Sequence, residues 1–108
     1  MRRVIIESPY AGDVVANRAY LQRAIRDCLS RGEAPFASHQ MYTDALDDKN
    51  PEERKLGMLA GLRWLWTADA VIVYGDRGIS PGMQWAISQA TAHMPIEYRK
   101  LDQEEPKA

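Results

Sequence analysis

The sequence has 108 residues, of which 45% are hydrophobic and 27% are charged, and its formal net charge is −1. These values are typical of one soluble globular domain and exclude a strongly basic surface for a nucleic acid polymer. No apolar run approaches the roughly 18 residues that cross a bilayer. Cys28 is the only cysteine. We therefore expect a cytoplasmic protein with no membrane contact, no disulfide, no cysteine-based metal site and no cofactor.

The chain begins with an apolar run at Val4–Ile6, which predicts a central strand. A loop rich in turn formers and hydroxyl groups follows at Glu7–Asp13. Asp13 is a suitable N-cap for a first helix with an apolar stripe, and Gly32 ends that helix. We expect a weak second strand at Ala34–Ser38, which carries a proline near its start.

The next segment, from His39 to Lys49, is predicted to be a loop over one edge of the sheet. Asn50 and Pro51, followed by two glutamates, predict the start of a second helix that runs to about Thr67. The second half of this helix is apolar on almost every side, so it is expected to form a homodimer through Leu59, Leu62, Trp64 and Trp66. The alternative is that the two tryptophans wedge against neighbouring helices of the same chain.

The stretch Asp69–Ala90 carries the most information. Ala70–Tyr74 is an apolar, β-branched run typical of a buried strand, and a loop with two glycines follows it. Ser80 as N-cap and Pro81 at the first helical position predict a third helix, with a buried face formed by Met83, Ile87, Ala90 and Met94. Amide groups at such a helix start favour an anion. The alternative is that the glycines and proline only make the turn.

Pro95–Arg99 predicts a fourth strand, and the charged residues 102–108 are expected to fray after a single domain at 1–101. The order β-α-β-α-β-α-β predicts an α/β fold, a doubly wound parallel sheet of about four strands with three helices. Ligands bind such sheets outside the carboxyl ends of the strands. The loops at Glu7–Asp13, His39–Tyr42 and Gly75–Gly82 are expected to meet there.

These three loops resemble those of the nucleoside 2-deoxyribosyltransferase-like family, which includes small phage and bacterial members. The similar segments are Ser8–Asp13, His39 with Leu46–Asp48 and Pro51–Arg54, Ala68–Ala70, and Gly78–Met83. The resemblance spans roughly residues 4 to 99 and implies a Rossmann-like domain that binds a nucleoside or nucleotide and acts on the N-glycosidic bond. In catalytic members a glutamate four residues after the glycine matching Gly82 attacks or stabilises the sugar. Ala86 stands at that position here.

Cleavage of a glycosidic bond develops positive charge on the sugar, which enzymes usually meet with a carboxylate. Because alanine supplies none, the candidate substitutes are Asp76 and Glu7. Asp76 has an alternative role as a turn residue that satisfies backbone amides, and Glu7 has one as the partner of a loop arginine. His39 is a candidate for proton transfer. With no second clustered histidine, a metal site is not expected.

The predicted ligand-binding residues lie in the same three loops and at the start of the third helix. Three tyrosines are candidates for stacking on a base or packing at the rim, and Arg77 is a candidate for binding a phosphate or a solvated charge. The full set is Ser8, Pro9, Tyr10, Gly12, Asp13, His39, Tyr42, Tyr74, Gly75, Arg77, Gly78, Ser80, Gly82, Met83 and Ala86.

Three functions follow as hypotheses. The first is a nucleoside- or nucleotide-binding protein of the deoxyribosyltransferase or N-glycosidase type, which, if active, uses a non-standard carboxylate. The second is a non-catalytic binder that senses or sequesters a nucleotide signal. The third is a regulatory subunit that binds a partner protein through its apolar second helix.

Overall fold

The computed structural model describes residues 1–102, which form four strands and four helices. In chain order the elements are β1 (Arg3–Glu7), α1 (Val14–Ser30), β2 (Ala34–Phe36), α2 (Ser38–Ala45), α3 (Pro51–Leu65), β3 (Ala70–Tyr74), α4 (Pro81–Ala90) and β4 (Ile96–Arg99). Residues 103–108, most of the tail predicted to fray, lie outside the described residues.

All four strands are parallel, in the order β2-β1-β3-β4. The chain moves to one edge after β1 and to the other after β3, so the order reverses between these two central strands. The predicted α/β, doubly wound parallel sheet is confirmed. Such a reversal leaves a crevice at the carboxyl ends of the strands, and here it lies beyond Glu7 of β1 and Tyr74 of β3.

The sheet has an apolar cluster on each face, as the alternation of side chains along a strand requires. On one face Val4 and Ile6 of β1 pack with α1 and with alternate residues of β3. On the other face Ile5 packs with Leu65 of α3, Met83 of α4 and the remaining residues of β3. Glu7 follows in the same alternation as Ile5, so its side chain emerges on the α3 and α4 side of the sheet.

Side-chain caps begin three of the four helices. Asp13 accepts from the Ala16 amide, Asn50 from two amides of α3, and Ser80 from the Met83 amide. These predicted helix starts are confirmed. The buried face predicted for α4 is confirmed at Met83 and Ala90, but the helix ends at Ala90, before Met94.

The loop predicted at residues 39–49 is wrong for residues 39–45, because α2 covers Ser38–Ala45 and raises the helix number to four, and is confirmed for residues 46–49. Ala37 at its N-cap makes no side-chain hydrogen bond, so this helix lacks a local start signal. It is held by close packing against α3, where a Cβ added at Gly61 would lie 3.0 Å from the Ser38 hydroxyl. The strand predicted to reach Ser38 ends at Phe36 for the same reason.

Candidate functional site

A cavity of about 390 Å³ opens at the carboxyl edge of the sheet, at the predicted place. The ends of β1 and its loop form its floor, α2 and α3 form one wall, and the start of α4 forms the other. The lining is mainly apolar, with a few polar groups. A volume and lining of this kind are typical of small-molecule sites.

Glu7 stands at the floor of the cavity with 7% of its surface exposed. Burial raises the pKa of its carboxyl group from 4.5 to about 8, since a charge is poorly solvated there. Within residues 1–102 no basic side chain lies within 4.0 Å of the carboxylate. The alternative role as partner of a loop arginine is therefore not found, and Glu7 is mostly protonated at neutral pH.

Ser8 and His39 form a hydrogen-bonded polar pair beside Glu7 in the cavity lining. The buried Ser8 hydroxyl lies 3.1 Å from His39 Nε2. Burial lowers the pKa of His39 from 6.5 to about 4, so the imidazole is neutral at pH 7. Its buried Nδ1 has no hydrogen-bond partner among the described residues.

The start of α4 offers fewer amide donors than the sequence indicates. Ser80 donates its amide to Met83 Sδ at 3.4 Å, and the Met83 amide donates to Ser80 Oγ at 3.2 Å. Pro81 has no N–H. Among the first helical positions this leaves the Gly82 amide for an anion, so the helix start is a weaker phosphate site than the predicted one.

The α3 wall carries the other charged groups of the cavity. Arg54 Nη1 lies 3.8 Å from the Asp48 carboxylate, and Glu53 accepts from the Asp47 amide at 3.1 Å. The Asp48 and Glu53 carboxylates are therefore engaged, and among residues 1–102 Arg54 is the cationic side chain that lines the cavity.

The two tyrosines of the cavity already use their hydroxyl groups. Tyr10 donates to Asp44 at 3.0 Å, and Tyr42 accepts from Trp64 Nε1 at 2.8 Å. Their rings remain available to the cavity as apolar surface.

The structure brings nine of the predicted site residues to the cavity. They are Glu7, Ser8, Tyr10, His39, Tyr42, Ser80, Gly82, Met83 and Ala86. It does not bring Pro9, Gly12, Asp13, Tyr74, Gly75, Asp76, Arg77 or Gly78 to the lining.

Asp76 faces away from the cavity, toward α1 and the end of β4. Its carboxylate accepts from the Tyr20 hydroxyl and from the amides of Leu101 and Asp102. This is the alternative role as a residue that satisfies local donors, and the carboxylate is not part of the cavity lining. Arg77 accompanies it, 3.0 Å from Asp102 and over the Tyr20 ring.

Four of the other predicted residues outside the lining have structural roles. The Tyr74 ring is fully buried on the α1 face, and its hydroxyl donates to Asp27 and lies 3.2 Å from Cys28 Sγ. Gly12 and Gly78 have φ values of 93° and 85°, which only glycine adopts without strain. Asp13 caps α1.

Residues of α3 and the side chain of Trp85 were missed as cavity residues. Gly57 and Gly61 stand one helical turn apart and line the cavity where α2 approaches. Their spacing is a usable signal, because two glycines on one helix face permit close approach of a neighbour. Others that were missed are Thr43, Met58, Leu62 and Leu65.

In the part of the chain that the structure describes, no three His, Cys, Asp or Glu side chains group in a way that could hold a metal ion. No helix within residues 1–102 has the length and apolar character to cross a bilayer.

Comparisons with known proteins support the fold. The family model described as "Domain of unknown function (DUF7768)" matches residues 2–99. A 2-deoxyribosyltransferase from Bacillus psychrosaccharolyticus is similar at a TM-score of 0.65 and 16% identity, over 97% of this chain and 77% of that one. The CMP N-glycosidase BcmB of Clostridium botulinum is similar at a TM-score of 0.54 and 16% identity, over 95% and 72%. No curated protein matches the sequence at a significant level.

Proposed function

The chain belongs to the DUF7768 family, and from the cavity at its sheet edge we propose that it binds a nucleoside or nucleotide there. The observation that carries this proposal is the cavity itself: mainly apolar walls above the polar groups of Glu7, Ser8 and His39. Apolar walls suit the faces of a base, and the polar floor suits hydroxyl groups of a sugar.

The shared fold supports this ligand class. Two of the structural neighbours are a 2-deoxyribosyltransferase and a CMP N-glycosidase, and both names describe proteins that act on a sugar joined to a base. We extend the class to this chain: it acts on the N-glycosidic bond or derives from enzymes that do.

The Arg54 guanidinium would bind the phosphate of a nucleotide. This guanidinium lines the cavity, whereas Arg77 lies outside it with Asp102. Arg54 is half exposed, so a phosphate at this place would lie near the cavity mouth.

A non-catalytic binder is the second candidate, and Ala86 favours it. By the family resemblance this position carries the catalytic glutamate, and Ala86 does line the cavity on α4. A methyl group there leaves room for ligand and contributes no carboxylate.

Binding is tested by thermal shift and isothermal titration with nucleosides and their 5′-monophosphates. A ligand at 100 times its dissociation constant stabilises the fold by about 2.7 kcal/mol. Ala86→Leu places a larger side chain in the cavity and is expected to abolish the shift. Gln84→Leu places a leucine at an exposed position of the same helix, two residues earlier and outside the cavity lining, and is expected to behave as the wild type.

Two results would contradict the proposal. One is the absence of any shift with the whole ligand panel. The other is equal binding by the wild type and Ala86→Leu, which would place the ligand outside this cavity.

A further inference from the structure

Three proton-carrying groups lie together on the cavity floor, supplied by adjacent residues of the β1 end and by the second residue of α2. The Ser8 hydroxyl contacts His39 Nε2 at 3.1 Å. Glu7 precedes Ser8 in the chain, and all three side chains line the cavity. Apart from the Ser8–His39 contact, these groups lack partners within residues 1–102: no basic side chain lies within 4.0 Å of the Glu7 carboxylate, and His39 Nδ1 makes no hydrogen bond.

The other titratable groups that face the cavity are already engaged or lie toward its mouth. From the loops and α3 these are Asp48, Glu53 and Arg54, and from the β1 loop and α2 they are Tyr10 and Tyr42. Asp48 is near Arg54, Glu53 holds a backbone amide, and both tyrosine hydroxyls are hydrogen-bonded. The α4 wall contributes no charged side chain to the cavity.

We propose that Glu7 and the Ser8–His39 pair hydrolyse the N-glycosidic bond of the bound nucleoside, with Glu7 as proton donor and His39 as proton acceptor. This inference rests on the proposed nucleoside binding and adds a reaction and its residues to it. It provides an acid and a base without a carboxylate at position 86.

The proposed step is balanced by one water molecule. The C1′–N bond breaks and its electron pair goes to the base nitrogen, while the Glu7 carboxyl group gives its proton to the leaving base. Water forms the new bond to C1′ and gives a proton to Ser8 Oγ, which passes its own proton to His39 Nε2. The imidazolium then returns a proton through solvent to Glu7, and the products are free sugar and free base.

The protonation states at neutral pH agree with these roles. Burial raises the pKa of Glu7 to about 8 and lowers that of His39 to about 4. Between pH 4 and pH 8 the Glu7 carboxyl group is therefore protonated and the His39 imidazole is neutral. Two groups whose environments move their pKa values apart are a recurring arrangement for acid–base catalysis.

The mechanism has a consequence for the type of reaction. Water attacks directly, so no sugar becomes covalently attached to the protein, and the configuration at C1′ inverts. The chain would therefore hydrolyse nucleosides and would not transfer the sugar to a second base.

The experiment measures base release from nucleosides and 5′-monophosphates by chromatography, beside calorimetric binding on the same samples. Glu7→Gln and His39→Gln each remove a proton-transfer group at similar size, and each is expected to slow release by about 100-fold or more. Glutamine still offers hydrogen-bonding atoms to the sugar hydroxyl groups, so the affinity should change far less than the rate. Glu52→Gln on the exposed first turn of α3 and His93→Gln at the surface are the matched controls. Both are expected to keep the wild-type rate.

The pH profile of kcat/KM separates proton transfer from a structural role. The wild type is expected to show a plateau with a fall below about pH 4, where His39 becomes charged, and above about pH 8, where Glu7 loses its proton. The residual activity of Glu7→Gln should lack the alkaline fall, and that of His39→Gln the acid fall.

The outcomes distinguish the two proposals. Nucleoside binding without base release by the wild type overturns the hydrolysis proposal alone. Full release by both Glu7→Gln and His39→Gln also overturns it, as does transfer of the sugar to an added base. Absence of both binding and release overturns the proposed function and this inference with it.

Discussion

Glu7 shows how one residue position links the sheet to the cavity. As the last residue of β1 it pairs with Val73, and the alternation of the strand turns its side chain to the α3 and α4 side. The backbone therefore fixes a carboxyl group where little water solvates its charge. Placing this ionisable group there has a cost in stability that depends on pH.

Replacing Glu7 by glutamine should remove that dependence. Because burial raises the pKa of Glu7 from 4.5 to about 8, the folded chain holds a proton that the unfolded chain loses in this range. The free energy of unfolding should thus decline as pH rises from 4.5 to 8, by up to about 1.4 kcal/mol per pH unit from this group. Urea unfolding at several pH values should show that the free energy of unfolding of Glu7→Gln increases relative to that of the wild type as the pH rises toward 8. The free energy of unfolding of Glu52→Gln should change with pH as that of the wild type does.

Asp76→Asn should weaken the fold and spare ligand binding. The carboxylate accepts hydrogen bonds from the Tyr20 hydroxyl and two backbone amides. The asparagine side chain cannot accept all of them equally well, so the free energy of unfolding should fall by about 1–3 kcal/mol. Burial raises the pKa of Asp76, but these hydrogen bonds lower it further, to about 2.

The pH dependence of that cost has a definite sign. The stabilisation by Asp76 is complete above the ordinary pKa of 3.8 and is lost as pH falls toward 2. The variant should therefore differ less from the wild type at pH 2 than at pH 6. Loss of nucleoside binding at unchanged stability would instead return Asp76 to the site.

At the scale of elements, α2 and α3 form the cavity wall through a close contact at two glycines. A Cβ at Gly57 would lie 3.2 Å from Leu46 Cδ1, and one at Gly61 would lie 3.0 Å from Ser38 Oγ. The wall thus depends on the lack of side chains at these positions. Ser38, Leu46 and both glycines also line the cavity, so helix packing and cavity shape are coupled.

Gly61→Val should disturb both the packing of α2 on α3 and the shape of the cavity. The added methyl groups push against Ser38, and overpacking of this kind costs about 1–3 kcal/mol. Displacement of α2 moves His39 and Tyr42, so calorimetry should show weaker nucleoside binding. Lys55→Val places the same side chain at an exposed position of α3, and equal behaviour of the two variants would contradict this coupling.

Local signals explain which elements could be predicted from the sequence. The side chains of Asp13, Asn50 and Ser80 accept hydrogen bonds from amides two or three residues away. The starts of α1, α3 and α4 are therefore determined by neighbouring residues in the sequence. The start of α2 is not, because Ala37 offers no cap and the helix depends on glycines of α3 about twenty residues later. A remote contact of this kind leaves no pattern in the segment that it orders.

The same limit applies to the candidate site. Residues that directly follow β1 could be predicted as cavity residues, because the carboxyl end of a central strand fixes their position. The loop after β3 turns toward α1, where Tyr20 binds Asp76. Nearness along the chain to the start of α4 therefore did not place Asp76 or Arg77 at the cavity.

Across the whole molecule, α3 and its C-cap residue expose the apolar side chains of Leu56, Leu59, Trp64 and Trp66. Leu62 instead packs inward against the core. Trp64 packs against Phe36 with ring centroids 5.3 Å apart, and Trp66 against His93 at 4.5 Å, so contacts within the chain hold part of both tryptophans. We retain the homodimer through the exposed face as a proposal, with a different partner protein as the alternative.

Leu59→Glu should test this surface with the least damage to the fold. Leu59 is 49% exposed, and Leu29 on α1 is 52% exposed on the opposite side of the sheet. Sedimentation should give a dimer for the wild type and for Leu29→Glu and a monomer for Leu59→Glu. A monomeric wild type, or a dimer that survives Leu59→Glu, would contradict the proposed homodimer.

Labelling of Cys28 by a thiol reagent can report the separation of α1 from the sheet. Cys28 is the single cysteine of the sequence, and its thiol is completely covered where α1 meets the Tyr74 hydroxyl. A thiol reagent can reach this sulfur only when α1 separates from the sheet, so the labelling rate measures how often that happens. The labelling rate can thus rank the effects of ligands and substitutions at the far face of the sheet, without a cysteine having to be introduced.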